Sequence, residues 1–131
     1  MHSSTDKGGR SFAAVALIFL VAGLLIGFGL DRLVERMAVA FPTPYQAVLL
    51  SNGAVYYGKL QGYGTPHPLL TEVYYIVTET NPETKQPSNV LVKRGKELHE
   101  PDRMYLNPNS IVFVEPVGVN SKVAQLIAAS H

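Results

Sequence analysis

Lys93, Arg94 and Lys96 stand close together at the end of an apolar run, and three cations so spaced can hold a phosphate or another anionic partner. Glu97 and Glu100 follow at once, so the same charges also make a self-compensated, solvated turn. His99, Glu100 and Asp102 offer three metal-ligating side chains within four residues. Pro101 forces an extended backbone among them, no second cluster has a complementary spacing, and His67 could join only through the fold. No metal site is expected. Several serines occur, but none lies in a nucleophile-elbow pattern, and neither a P-loop nor a GxGxxG is present. The chain also lacks cysteine, which removes thiolate chemistry, disulfides and cysteine metal sites. These absences point to a protein that is not an enzyme and needs no cofactor.

Tyrosine is the dominant aromatic. Tyr56-Tyr57 and Tyr74-Tyr75 are adjacent pairs, and in a strand one ring of each pair faces in and the other out. The outward rings either stack across a sheet or form an aromatic patch for a peptide or protein partner.

The elements that must position these groups follow one long apolar run. Phe12–Leu30 has no charged, amide or hydroxyl side chain. Its nineteen residues would span roughly 28 Å as a helix, close to the thickness of a bilayer's hydrocarbon core. A transmembrane helix at 12–30, behind a tail at 1–11, is the reading. A cleaved signal peptide is the competitor, given Lys7, Arg10 and the small residues of Ala38-Val39-Ala40, but the run exceeds the usual h-region. Gly23 and Gly27 form a GxxxG that would let a second helix approach closely. Lys7 and Arg10 on one side balance Arg32 and Arg36 on the other, so the positive-inside rule leaves orientation nearly open. The short N-terminal tail favours a single-pass inner-membrane protein with its C-terminal domain extracytoplasmic. Residues 31–44 then read as a juxtamembrane helix, with Leu33, Val34, Met37 and Phe41 at helical spacing, stopped by the hinge Pro42-Thr43-Pro44.

From Tyr45 the period becomes strand-like. Short strands are expected at Tyr45–Leu50, Ala54–Leu60, Leu69–Thr78, Asn89–Lys93, Met104–Leu106 and Ser110–Glu115, with exposed loops at 61–68 and 79–88. Asn52-Gly53 marks a hairpin, and Gly58 marks a bulge or bend. The spacings leave no room for crossover helices, which makes the sheet antiparallel. The prediction is a mainly β chain: the anchor, a small antiparallel β-barrel at 45–119, and a short C-terminal helix at 120–131 capped by Asn120 or Ser121. From Phe41 onward the basic residues (Lys59, Lys85, Lys93, Arg94, Lys96, Arg103, Lys122) equal the acidic ones (Glu72, Glu79, Glu83, Glu97, Glu100, Asp102, Glu115), so no global field draws the domain to nucleic acid. The expected partners are the lipid bilayer and either a membrane protein or further copies of the chain, with nucleic acid disfavoured.

Val48–Val77 resembles the first half of a Sm-like, SH3-like small β-barrel, with strand, Asn-Gly turn, a strand carrying Gly58-Lys59-Leu60, loop and strand. Val90–Gly95 is similar to that family's second motif, and Arg94-Gly95 matches it position for position. The loop before the third strand departs from the RNA-binding members: it has Thr65, Pro66, His67 and Pro68 where they carry Asp and Asn. The resemblance implies a barrel and, as a second reading, a membrane-tethered nucleic-acid or phosphate-binding module. The whole arrangement, with its segment YQAVLLSNGAVYYGKL, also resembles a group of uncharacterised small bacterial single-pass membrane proteins. That likeness implies an anchor and no reaction. A non-enzymatic interaction or assembly subunit is the first functional expectation.

Overall fold

The computed structural model describes residues 8–131, so most of the expected tail at 1–11 lies outside the described residues. Helix α1 runs from Gly8 to Met37 and contains the one span among the described residues, Arg10–Leu33, that is long and apolar enough to cross a membrane. It begins before Phe12 and continues unbroken past Leu30, because nothing between Asp31 and Met37 breaks a helix. The juxtamembrane helix is therefore the same helix as the span. It stops at Met37, short of the proline hinge. Phe41 does not extend its apolar stripe. It belongs to the second unit, Ala38–His131, where its ring packs on Tyr63 with centroids 6.0 Å apart. Val39 N–H donates to the Tyr63 carbonyl at 2.9 Å, a bond the helix cannot offer there. The side chains of Val34 and Met37, also placed on that stripe, lie outside the described residues.

The second unit is a six-stranded antiparallel sheet: β1 Gln46–Leu50, β2 Val55–Gln61, β3 Leu69–Thr80, β4 Pro87–Lys93, β5 Arg103–Tyr105 and β6 Ile111–Pro116. The order is β4-β3-β2-β1-β6, with β5 also on β3. Every pairing is antiparallel. The first and last strands meet, yet no ladder joins β6 to β4 or β5, so backbone hydrogen bonds leave the sheet open where a closed barrel was expected. Its core is Val48, Leu60, Leu70, Val73 and Leu106, flanked by half-buried Leu50, Tyr56, Tyr63, Met104 and Val114. Gln46 is 2% exposed and fully engaged: its amide donates to the Thr43 carbonyl at 2.6 Å and accepts from Leu60 N–H at 2.8 Å.

One hairpin lies where it is expected and the other departs from expectation. Gly53 alone takes positive φ (+85°), while Asn52 does not, and Gly53 N–H donates to the Leu50 carbonyl. The hairpin loop is the three residues Ser51-Asn52-Gly53 that the expected strand bounds leave, and Asn52 contributes its side-chain oxygen, which accepts from Ala54 N–H. The polar stretch 79–88, read as loop, lengthens β3 to Thr80 and starts β4 at Pro87. Side chains bridge this ribbon (Thr78 to Asn89 at 3.0 Å), and its residues project beyond the core, so no apolar alternation marks them. Helix α2, Lys122–Ala129, is capped by Ser121, whose hydroxyl accepts from Ala124 N–H at 3.1 Å. It buries Ile127, and Ser130 just beyond it meets the Tyr74 hydroxyl at 3.2 Å.

Candidate functional site

The bend at Gly58 creates the main irregularity of the sheet. Between the pairs Tyr57–Tyr74 and Lys59–Thr71, β2 has one residue and β3 has two, Glu72 and Val73. This is a β-bulge on β3. Glu72 takes φ +49°, a left-handed conformation that a side chain rarely adopts. Gly58 faces the bulge so closely that a Cβ there would lie 2.7 Å from the Thr71 carbonyl oxygen and 2.9 Å from Leu70 Cγ. Glycine is required at this point for space, not for φ.

The bulge splits the opposite edge of β3. β4 ends with Lys93 beside Tyr74, and β5 begins with Arg103 beside Thr71. Both lie on the edge away from β2, and Glu72–Val73 fall in the gap between them. The segment 94–102 arches over that gap, and Arg94 N–H donates to the Val73 carbonyl at 2.8 Å. Beneath it is a cleft of about 400 Å³. Lys93, Arg94 and Arg103 supply cations to its walls, and Glu72, Glu100 and Asp102 supply carboxylates. Val73, Pro101 and Met104 supply apolar surface.

Most of these charges are already matched. Arg94 Nε donates to Glu97 at 2.9 Å, and Gly95 N–H donates to the other Glu97 oxygen at 2.9 Å. The Gly95 N–H, with the Glu97 backbone and Arg94 adding to it, holds the Glu97 carboxyl down at about 2. Asp102 and Arg103 form a two-point pair at 2.8 and 3.0 Å. That pairing lowers the Asp102 carboxyl and raises the Arg103 guanidinium. Glu72 accepts from Lys59 at 2.7 Å and from the Tyr45 hydroxyl at 3.0 Å. Lys59 lowers the Glu72 carboxyl, and burial, helped by Glu72, pushes the Tyr45 hydroxyl up to about 12. Lys93 and Glu100 have no ion-pair partner among the described residues.

The structure brings two of the sequence-derived sets together. The Arg94 guanidinium lies 5.9 Å from the Tyr56 ring centroid, and the Lys93 ammonium lies 5.8 Å from that of Tyr74. Lys96 does not line the cleft. The four tyrosines do not share one surface patch. Tyr57 and Tyr74 face each other across β2 and β3, and Tyr74 is 1% exposed beneath Tyr45 and Ser130. Tyr56 and Tyr75 make an edge-to-face pair with centroids 6.4 Å apart, and Tyr56 packs against the core. The reading of Tyr74 as part of an aromatic surface is thus corrected, because α2 and its trailing Ser130 cover a strand face that looked free.

Among the described residues no group of three or more His, Asp or Glu is placed to hold a metal ion. Gly23 and Gly27 sit one turn apart on α1, and apart from the helix's own neighbouring backbone nothing lies within 4 Å of where a Cβ would stand on either. Sequence reading missed Glu72 and Gln46. The only signal for Glu72 was Gly58, since a bulge opposite a strand glycine names the glycine and not its partner. No protein-family model matches the chain, and no curated protein matches it in sequence.

Proposed function

We propose that this protein is a non-enzymatic, membrane-anchored interaction domain, an accessory or assembly subunit whose folded part works next to the bilayer. The observation that carries this reading is α1: from Arg10 to Leu33 its apolar side chains are exposed along the whole span, with no protein cover. An uncovered apolar helix of this length is stable only in lipid or against other helices. The Gly23/Gly27 face supports close packing with a second helix, from a membrane protein or another copy of this chain. The pairing of first strand with last supports the Sm-like or SH3-like barrel reading of the domain, and the bacterial inner membrane with an extracytoplasmic C-terminal domain is the proposed location.

Native electrophoresis of detergent extracts and pull-down from native membranes test it. The expected result is a complex larger than one chain that Gly23→Ile/Gly27→Ile disrupts. A strictly monomeric, partnerless protein in mild detergent overturns it.

A membrane-tethered nucleic-acid or phosphate binder is the second reading, favoured by the convergence of Lys93, Arg94 and Arg103 on one cleft. It requires a cytoplasmic domain. A reporter fused after His131 that is active only outside the cytoplasm would sink the nucleic-acid form.

A further inference from the structure

The geometry points to the cleft at the split edge of β3 as a binding site for a small zwitterion, a molecule with a primary ammonium and an anionic group a few ångströms apart. The site is built rather than incidental. Two of the three left-handed non-glycine residues among those described, Glu72 (φ +49°) and Glu100 (φ +45°), line it, and so does Gly95 (φ +131°). Backbone held in such conformations persists only where its surroundings enforce it, and ligand clamps are among the places where it gathers. The surroundings are visible: the missing side chain of Gly58 leaves room for Thr71 and Leu70 beside the bulge, and Glu97 ties the turn after Lys93 to the Arg94 side chain. A Cβ at Gly95 would lie 3.6 Å from the Pro101 carbonyl oxygen, so the backbone at the two ends of the arch comes together.

The charge pattern selects the ligand class. Glu97, Asp102 and Glu72 are neutralised by Arg94, Arg103 and Lys59. Among the charged residues that line the cleft, Lys93 and Glu100 are the two without an ion-pair partner, one of each sign. A simple anion gains Lys93 and the unused Arg94 N–H groups but is repelled by Glu100. A simple cation meets the reverse. A molecule bearing both charges satisfies both walls, and the volume of about 400 Å³ suits something of amino-acid or headgroup size. Two sources share this chemistry: soluble amino-acid-like compounds and the phosphoethanolamine headgroup of lipids.

The test is NMR titration of the full chain in maltoside micelles, which present no zwitterionic headgroup, with O-phosphoethanolamine, glycine, inorganic phosphate and ethylamine as probes. Expected is saturable movement of the Gly95 and Glu100 amides with the zwitterions, at least tenfold tighter than with phosphate or ethylamine alone. Lys93→Gln and Glu100→Gln, both at exposed positions, should each weaken zwitterion binding about tenfold while leaving the remaining spectrum in place. Nanodiscs of phosphatidylethanolamine compared with phosphatidylcholine separate the sources. Movement without added probe in the former assigns the lipid headgroup, and movement only with free probe assigns the soluble compound. Phosphate binding as tightly as phosphoethanolamine would overturn the inference in favour of the simple anion site, and no movement with any probe would overturn both.

Discussion

Replacing Gly58 with alanine isolates the device on which the cleft depends. The added Cβ would lie 2.7 Å from the Thr71 carbonyl oxygen and 2.9 Å from Leu70 Cγ, well inside the ~3.5–4.0 Å of a favourable contact. Neither neighbour can yield easily. Thr71 is main chain in the β2–β3 ladder, and Leu70 is 0% exposed in the core. Overpacking against such walls costs about 1–3 kcal/mol, and the backbone partner argues for the upper half of that range, about 2 kcal/mol or more. For a domain of this size that corresponds to a fall in Tm of about 8–16 °C. Thermal unfolding of the full chain in detergent, followed by near-ultraviolet circular dichroism of the tyrosines, measures it. Gly53→Ala is the comparison: φ is +85° there but no atom lies within 4 Å, so only conformational strain of about 1 kcal/mol is expected. Gly58→Ala should be the worse of the two, and it should also shift the Gly95 and Arg94 amides, since Arg94 is bonded to Val73 in the bulge. A Gly58→Ala protein within about 0.5 kcal/mol of wild type, or no worse than Gly53→Ala, would refute the claim that close approach fixes this residue.

Three further expectations follow from named contacts. Ser121→Ala removes the hydroxyl that caps α2 and should lower stability by about 1 kcal/mol, with Ser121→Asp largely restoring it; an unchanged denaturation midpoint would show that α2 needs no cap. Glu97, with its folded-state carboxyl held near 2, stabilises the 94–97 turn fully above the unfolded carboxylate range, and that contribution is lost as pH falls through about 2. The Gly95 amide should therefore titrate with a midpoint near 2, and a midpoint above 4 would show the bond to Glu97 absent in solution. Tyr45, raised to about 12, contributes stability present below pH 10 and lost as pH rises through 12. Ultraviolet titration should show a late component that Glu72→Gln moves to lower pH; a late component that Glu72→Gln leaves in place, or none at all, would remove the Tyr45–Glu72 bond.

Much of this architecture is legible in the chain itself. The length and uniform apolarity of Phe12–Leu30 dictate a helix of spanning size. Apolar runs separated by glycine, proline and asparagine place all six strands and their antiparallel sense, and Ser121 before Val123, Leu126 and Ile127 announces α2. These are local properties, decided within about ten residues by periodicity, capping and turn chemistry. The cleft is different. Lys93 and Arg94 were legible as a basic cluster, but only the pairing of β4 and β5 onto one edge of β3 brings them to the same cleft as Glu100 and Arg103. The extra residue that opens that edge is Glu72, which nothing in its own neighbourhood marks, because a bulge is specified by the strand across from it. Tyr74, which alternation alone leaves ambiguous, is buried by a helix about fifty residues further along the chain. Even Arg94 owes its matched state to the conformation of its turn, in which Gly95 stands at φ +131° and Glu97 accepts from both the Gly95 N–H and the guanidinium.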